Sequence, residues 1–136
     1  MFCRKREIEV SPNIPELNAI TIRDIALRMS AEPESWPLWL GEFVDEFRRS
    51  GRTELLSETP PATVPEYLRC LLASVAESLC AERGATAPAW CAQIGTLATP
   101  WFVSGMENLK AMALVESPAQ FRKRNIFVLE NFLARV

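Results

Sequence analysis

The stretch Thr63–Gly84, TVPEYLRCLLASVAESLCAERG, decides how the rest of the chain reads. Leu68, Leu71, Leu72, Val75 and Leu79 recur at spacings of three and four, which is the period of one face of an α-helix. Thr63 and Glu66 stand at capping-box spacing around Pro65, a residue tolerated at a helix start, and Gly84 can end the run. The pattern predicts one long helix near 65–83, apolar enough to be the central element around which the others pack.

Upstream, Trp36, Trp39, Leu40, Phe43, Val44 and Phe47 follow the i, i+3, i+4, i+7, i+8, i+11 series, the clearest amphipathic pattern in the chain. Ser35 is placed to cap that helix, Pro37 falls in its first turn, and Gly51 can close it. Its acids Glu42, Asp45 and Glu46 occupy the other side, as a solvated face. Before it, Thr21 and Asp24 are spaced as an N-cap pair for a shorter helix with Ile22, Ile25, Ala26 and Met29 on one face. Pro12 and Pro15 interrupt a start without period, so residues 1–15 read as an extended arm and 16–136 as one helical domain.

Downstream, Pro88 opens a short helix carrying Trp90 and Cys91, and Pro100 holds Thr99 extended ahead of Trp101 and Phe102. Ser104 and Glu107 predict a further cap, with Leu109, Met112 and Ala113 facing inward as far as Glu116. Ser117, Pro118 and Gln120 predict a short helix through Arg124. Ile126–Val128 reads as an extended bridge at most, and Leu129, Phe132, Leu133 and Val136 as a last amphipathic turn or two. The expected fold is all-α, a single compact domain of five to seven helices.

Composition agrees with one globular core and removes several kinds of chemistry. The 136 residues are 49% hydrophobic and 24% charged, with net charge -2, close to the globular average. There is no histidine, so Ser-His and Cys-His nucleophile pairs and histidine metal sites are out. Five glycines form neither a P-loop nor a dinucleotide-binding pattern. Cys3, Cys70, Cys80 and Cys91 show no C-x-x-C spacing and read as free thiols, three of them in apolar helical contexts. No cofactor, metal or catalytic residue is expected. No apolar run approaches the about 20 residues that span a bilayer, and the chain reads as cytoplasmic.

Two features remain as functional candidates. Cations gather at both ends, as Arg4, Lys5 and Arg6 and as Arg122, Lys123 and Arg124, around a middle with twice as many acids as cations. A basic run can contact phosphates, yet each helical step of about 100° turns the three cations of 122–124 apart. One arginine of the three is expected to turn inward to an acid or carbonyls. The aromatic residues Trp90, Trp101 and Phe102 either plug a gap between helices or anchor an interface, where tryptophan and arginine dominate binding energy. Trp36 and Trp39 read as core.

Taken in order, RDIALRM, WLGEFVDEFRRSG, ELLSETPP, PEYLRCLLASVAESLCAERG, PAWC, TPWFVSGMENLKAMALVESP and FRKRNIFV resemble a family of small antitoxin-like bacterial proteins of uncharacterised mechanism. Such proteins are often encoded beside nucleotidyltransferase-type toxins. The resemblance runs from about residue 16 onward. Its most specific part, PWF, a short spacer and LKAMALVESPAQFRKRNIFV, is also similar to the C-terminal region of some helix-turn-helix regulators. The resemblance implies a non-enzymatic protein-interaction module whose partner is the product of a neighbouring gene, with Trp101, Phe102, Phe121, Arg122 and Arg124 bordering the partner-binding surface. The alternative is a nucleic-acid-binding accessory protein using segments 4–6 and 122–124. The chain departs from the regulators in having only one short helix and an arm ahead of residue 35, where a helix-turn-helix needs two helices and a tight turn.

Overall fold

The computed structural model describes residues 20–135, so the expected arm 1–15, the basic segment 4–6 and Cys3 lie outside the described residues. The chain is all-α, with seven α-helices and one two-residue parallel strand pair among those residues. α1 (Ile22–Ala31) begins at the predicted cap. The Thr21 hydroxyl accepts from the Asp24 N–H at 3.1 Å, and the Asp24 carboxylate accepts from the Thr21 N–H at 3.3 Å. These two bonds satisfy donors that a helix start leaves orphaned. α2 (Trp36–Ser50) follows a single 3-10 turn over Pro33–Ser35, and its C-terminus closes on Gly51 at φ 68°. A side chain there would be strained by that backbone and would run into the Arg83 guanidinium.

α3 (Glu66–Glu82) is the centre. From Leu68 to Cys80 its residues are buried with the exception of Arg69 and Glu77, which are only partly exposed. A helix covered on nearly every side is a core helix. α1 packs on α2 and on α3, α4 (Ala89–Gln93) lies against α3, and a second layer comes from the C-terminal third. That third runs β1 (Trp101–Phe102), α5 (Lys110–Glu116), α6 (Ala119–Arg122), β2 (Ile126–Phe127) and α7 (Phe132–Arg135). β1 and β2 pair in parallel, Trp101 opposite Ile126 and Phe102 opposite Phe127. Arg48 fastens α7, donating to the Leu133 carbonyl at 3.0 Å while its guanidinium pairs with Glu82 at 2.7 Å.

Several predicted caps are not formed. α3 starts on Pro65 without a side-chain bond, and Thr63 is exposed. Ser35 makes no cap bond either. Ser104 accepts from the Met106 N–H at 3.3 Å in a turn ahead of a 3-10 stretch, Glu107–Leu109, so α5 begins at Lys110. In each case proline geometry or a preceding turn fixes the entry of the helix without a side-chain cap. Trp36 and Trp39 are half-buried rather than core, while Leu40, Phe43, Val44 and Phe47 are fully buried. Met112, expected to face inward, is 50% exposed. The all-α core depends on α3, so Leu71→Ala is expected to lower unfolding free energy by about 2–5 kcal/mol through the cavity it leaves, read from urea denaturation.

Candidate functional surface

The segment from Ser117 to Val128 is folded by its polar atoms. Ser117 is 1% exposed and does not cap α6, as its spacing suggested. Its hydroxyl instead reaches across, donating to the Ile126 carbonyl at 3.1 Å and accepting from the Val128 N–H at 3.3 Å. Arg122 donates to the Ser117 carbonyl at 2.6 Å, beside the C-terminal end of α5. Asn125 takes a left-handed conformation, φ 68°, which asparagine tolerates better than most residues. It turns the chain between α6 and β2, and its amide donates to the Leu97 carbonyl at 3.0 Å.

Arg124 is 2% exposed and joins three parts of the fold. It donates to both Glu77 carboxylate oxygens, at 2.7 and 3.1 Å, to the Cys91 carbonyl at 2.7 Å and to the Gln120 carbonyl at 3.1 Å. Lys123 adds a contact to Glu77 at 3.0 Å. A fork-shaped guanidinium suits this geometry, since it bonds the carboxylate twice and keeps donors for carbonyls. Burial by itself would push the Glu77 carboxyl up, but the hydrogen bonds from Arg124 and then Lys123 outweigh it and hold the group below its usual range. Arg124 is thus the inward arginine expected among the three. The run 122–124 forms no shared patch: Lys123 and Arg124 converge on one acid, and Arg122 bonds carbonyls.

The five residues expected at the partner-binding surface therefore separate. Phe121 is 1% exposed and packs edge-on against Phe132, centroids 5.9 Å apart. Phe121 in α6 and Arg124 just beyond it are interior residues that support the surface from behind. Arg122, the last residue of α6, is exposed. Trp101 and Phe102 are half-buried and held by β2, with the Trp101 N–H donating to the Asn125 carbonyl at 2.9 Å. Phe102 stacks on Phe127 at 5.1 Å with the Lys110 ammonium 5.3 Å above its ring. Trp90 is a core residue, its indole N–H donating to the Leu56 carbonyl at 2.8 Å.

Six further residues at the surface or behind it were not singled out by the sequence pattern. Glu77 carried a signal, because it is the only charged residue between Arg69 and Glu82 in the central helix. Tyr67 and Glu66 were absorbed into the helix start. The exposed apolar residues Met106, Leu114 and Val115 gave none, since a seven-residue helix is too short for periodicity to tell its two faces apart.

The three thiols Cys70, Cys80 and Cys91 are buried, and desolvation raises each, Cys91 to about 12. They stay protonated near neutral pH and are poor nucleophiles there. Among the described residues no group of three or more Cys, Asp or Glu residues gathers as metal ligands, and no helix is long and apolar enough to cross a membrane. Comparison with family models, curated proteins and solved structures finds no match.

Since Glu77 is held below its unfolded value near 4.5, its stabilising effect is complete above that value and is lost as pH falls through the lower folded one. Chemical denaturation between neutral and acidic pH should show this loss in the native chain and a shallower one in Glu77→Gln. Arg124→Ala, which leaves the carboxylate inside with Lys123 alone, is expected to cost about 3–5 kcal/mol. The double change Arg124→Met with Glu77→Met should cost clearly less than the two single changes added.

Proposed function

We propose that the chain is a cytoplasmic protein-interaction module without catalytic activity, an antitoxin-like neutraliser of a cognate enzyme encoded beside it. The observation that carries this reading is the outward face of α5. Of its seven residues only Ala113 is buried, while Met112 is 50%, Leu114 51% and Val115 79% exposed, and Met106 just upstream is 55% exposed. Single exposed apolar side chains are ordinary, but four large ones here fall within ten residues of one segment, and concentrated exposed apolar surface marks interfaces. Phe102, half-buried under Lys110, extends toward the same helix, and Met and aromatic residues are enriched at contact surfaces. The resemblance of PWF and LKAMALVESPAQFRKRNIFV to antitoxin-like chains rests on the segment that builds this face.

Nucleic-acid binding through 122–124 is the weaker reading. It needs free cations on one side, and two of the three are engaged by Glu77.

Co-expression with the neighbouring gene product, followed by affinity pull-down and growth rescue, tests the proposal. The native chain should co-purify with the neighbour and relieve its toxicity. Leu114→Asp with Val115→Asp should weaken the complex by about 2 kcal/mol or more while shifting folding stability by less than about 0.5 kcal/mol per site. A neighbour that is harmless when expressed alone, or a double variant that binds as well as the native chain, would overturn the reading.

A further inference from the structure

A second feature of the surface stands apart from the α5 face. Trp36 at the start of α2, Tyr67 in the first turn of α3 and Trp101 in β1 come from three separate elements and meet in one corner. The Tyr67 and Trp101 rings are 5.2 Å apart and nearly perpendicular at 89°, and Trp36 meets Trp101 at 5.8 Å and 63°. All three are half-buried. With Glu66 and Pro100 they line an open hollow of about 580 Å³.

Aromatic rings carry negative charge on their faces; in each edge-to-face pair here one ring covers part of the other's face, and all three residues line the hollow. Glu66 places a carboxylate on the rim of the same hollow, and among the described residues no cation is salt-bridged to it. The α3 dipole accounts for an acid in the first turn. It does not account for two tryptophans and a tyrosine gathered around a hollow with their rings partly uncovered. Trp90, by contrast, is buried and its indole N–H is bonded to the Leu56 carbonyl.

We propose that this corner is a binding site for an alkylammonium cation, methylated or quaternary, held against Trp36, Tyr67 and Trp101 with Glu66 as its counter-charge. A quaternary head gains from this arrangement because it is weakly hydrated, fills a rounded apolar space and spreads its charge over methyl surfaces that touch the rings. A phosphate or carboxylate ligand would meet Glu66 and the ring faces with the wrong sign.

The test is a titration of the full ¹⁵N-labelled chain, following the indole N–H resonances of its tryptophans. Choline is the first probe, and its neutral carbon isostere 3,3-dimethylbutan-1-ol is the control for shape and apolar contact. The Trp36 and Trp101 resonances should move with choline while that of Trp90 stays, and choline should bind about 5- to 30-fold more tightly than the alcohol. Glu66→Gln, an exposed change that leaves the core intact, should weaken choline several-fold and leave the alcohol unaffected; Trp101→Leu should remove both responses. A parallel titration with Nα-acetyl-Nε-trimethyllysine amide separates the sources, since tighter binding than choline assigns the site to a side chain of a protein and weaker binding assigns it to a free cation. Equal affinity for choline and the alcohol, an equal response at Trp90, or no shift up to about 10 mM choline would overturn the proposal.

Discussion

Glu77 lies in the middle of a helix whose neighbouring residues are out of water, and Arg124, forty-seven residues further on, is itself almost fully enclosed. Neither could stay charged there alone, because an unpaired ion in a protein interior costs several kcal/mol. Their pairing also fixes direction. The guanidinium is planar, so bonding Glu77 through two nitrogens and the Cys91 carbonyl through one of them sets the angle at which α6 approaches α3 and α4. A hydrophobic contact in the same place would bring these elements together without setting that angle.

The rest of the C-terminal third follows from that placement. With Arg124 held, its carbonyl accepts the Leu97 N–H at 3.1 Å, Lys123 offers its carbonyl to Thr96 at 2.9 Å, and Asn125 turns the chain into β2. β2 then receives β1, which carries Trp101 and Phe102 to the surface. Two residues per strand are too few to hold a sheet on their own. The pair persists because Ser117, Asn125 and Arg124 fasten both of its ends. Trp101 therefore owes its position to a buried arginine more than twenty residues away.

The part of the fold legible in the sequence is the part governed by periodicity. α2 and α3 are long, their apolar residues recur every three or four positions, and burial of Leu40, Phe43, Phe47, Leu68, Leu71 and Leu79 matches those stripes. The Thr21–Asp24 cap was legible because no proline fixed the chain before it. Ser117 shows where reading from local spacing stops: its neighbours spell a helix cap, yet its hydroxyl is spent on the backbone of β2, nine and eleven residues away. Arg122, Lys123 and Arg124 stand side by side in sequence, and only the tertiary position of Glu77 decides which of them is interior. Trp36 belongs to the apolar stripe of α2 by spacing, but it lies at the helix start, where the core thins out, and so remains half-exposed.

The site residues are harder to read for a related reason. A helix of seven residues is marginal by itself in water, and α5 gains little from burial because only Ala113 is enclosed. Polar bonds hold it at both ends: Lys110 pairs with Glu107 at 2.6 Å, Arg122 bonds the Ser117 carbonyl just past its last turn, and Glu116 accepts the Glu130 N–H at 3.0 Å. Those bonds could hold a polar helix equally well. Met112, Leu114 and Val115 therefore contribute little to the fold that serine or lysine at the same positions would not, and leaving them in water carries a risk of association. An apolar face that folding does not require, mounted on a support held by polar bonds at both ends, is the physical ground on which the proposal of a protein partner rests.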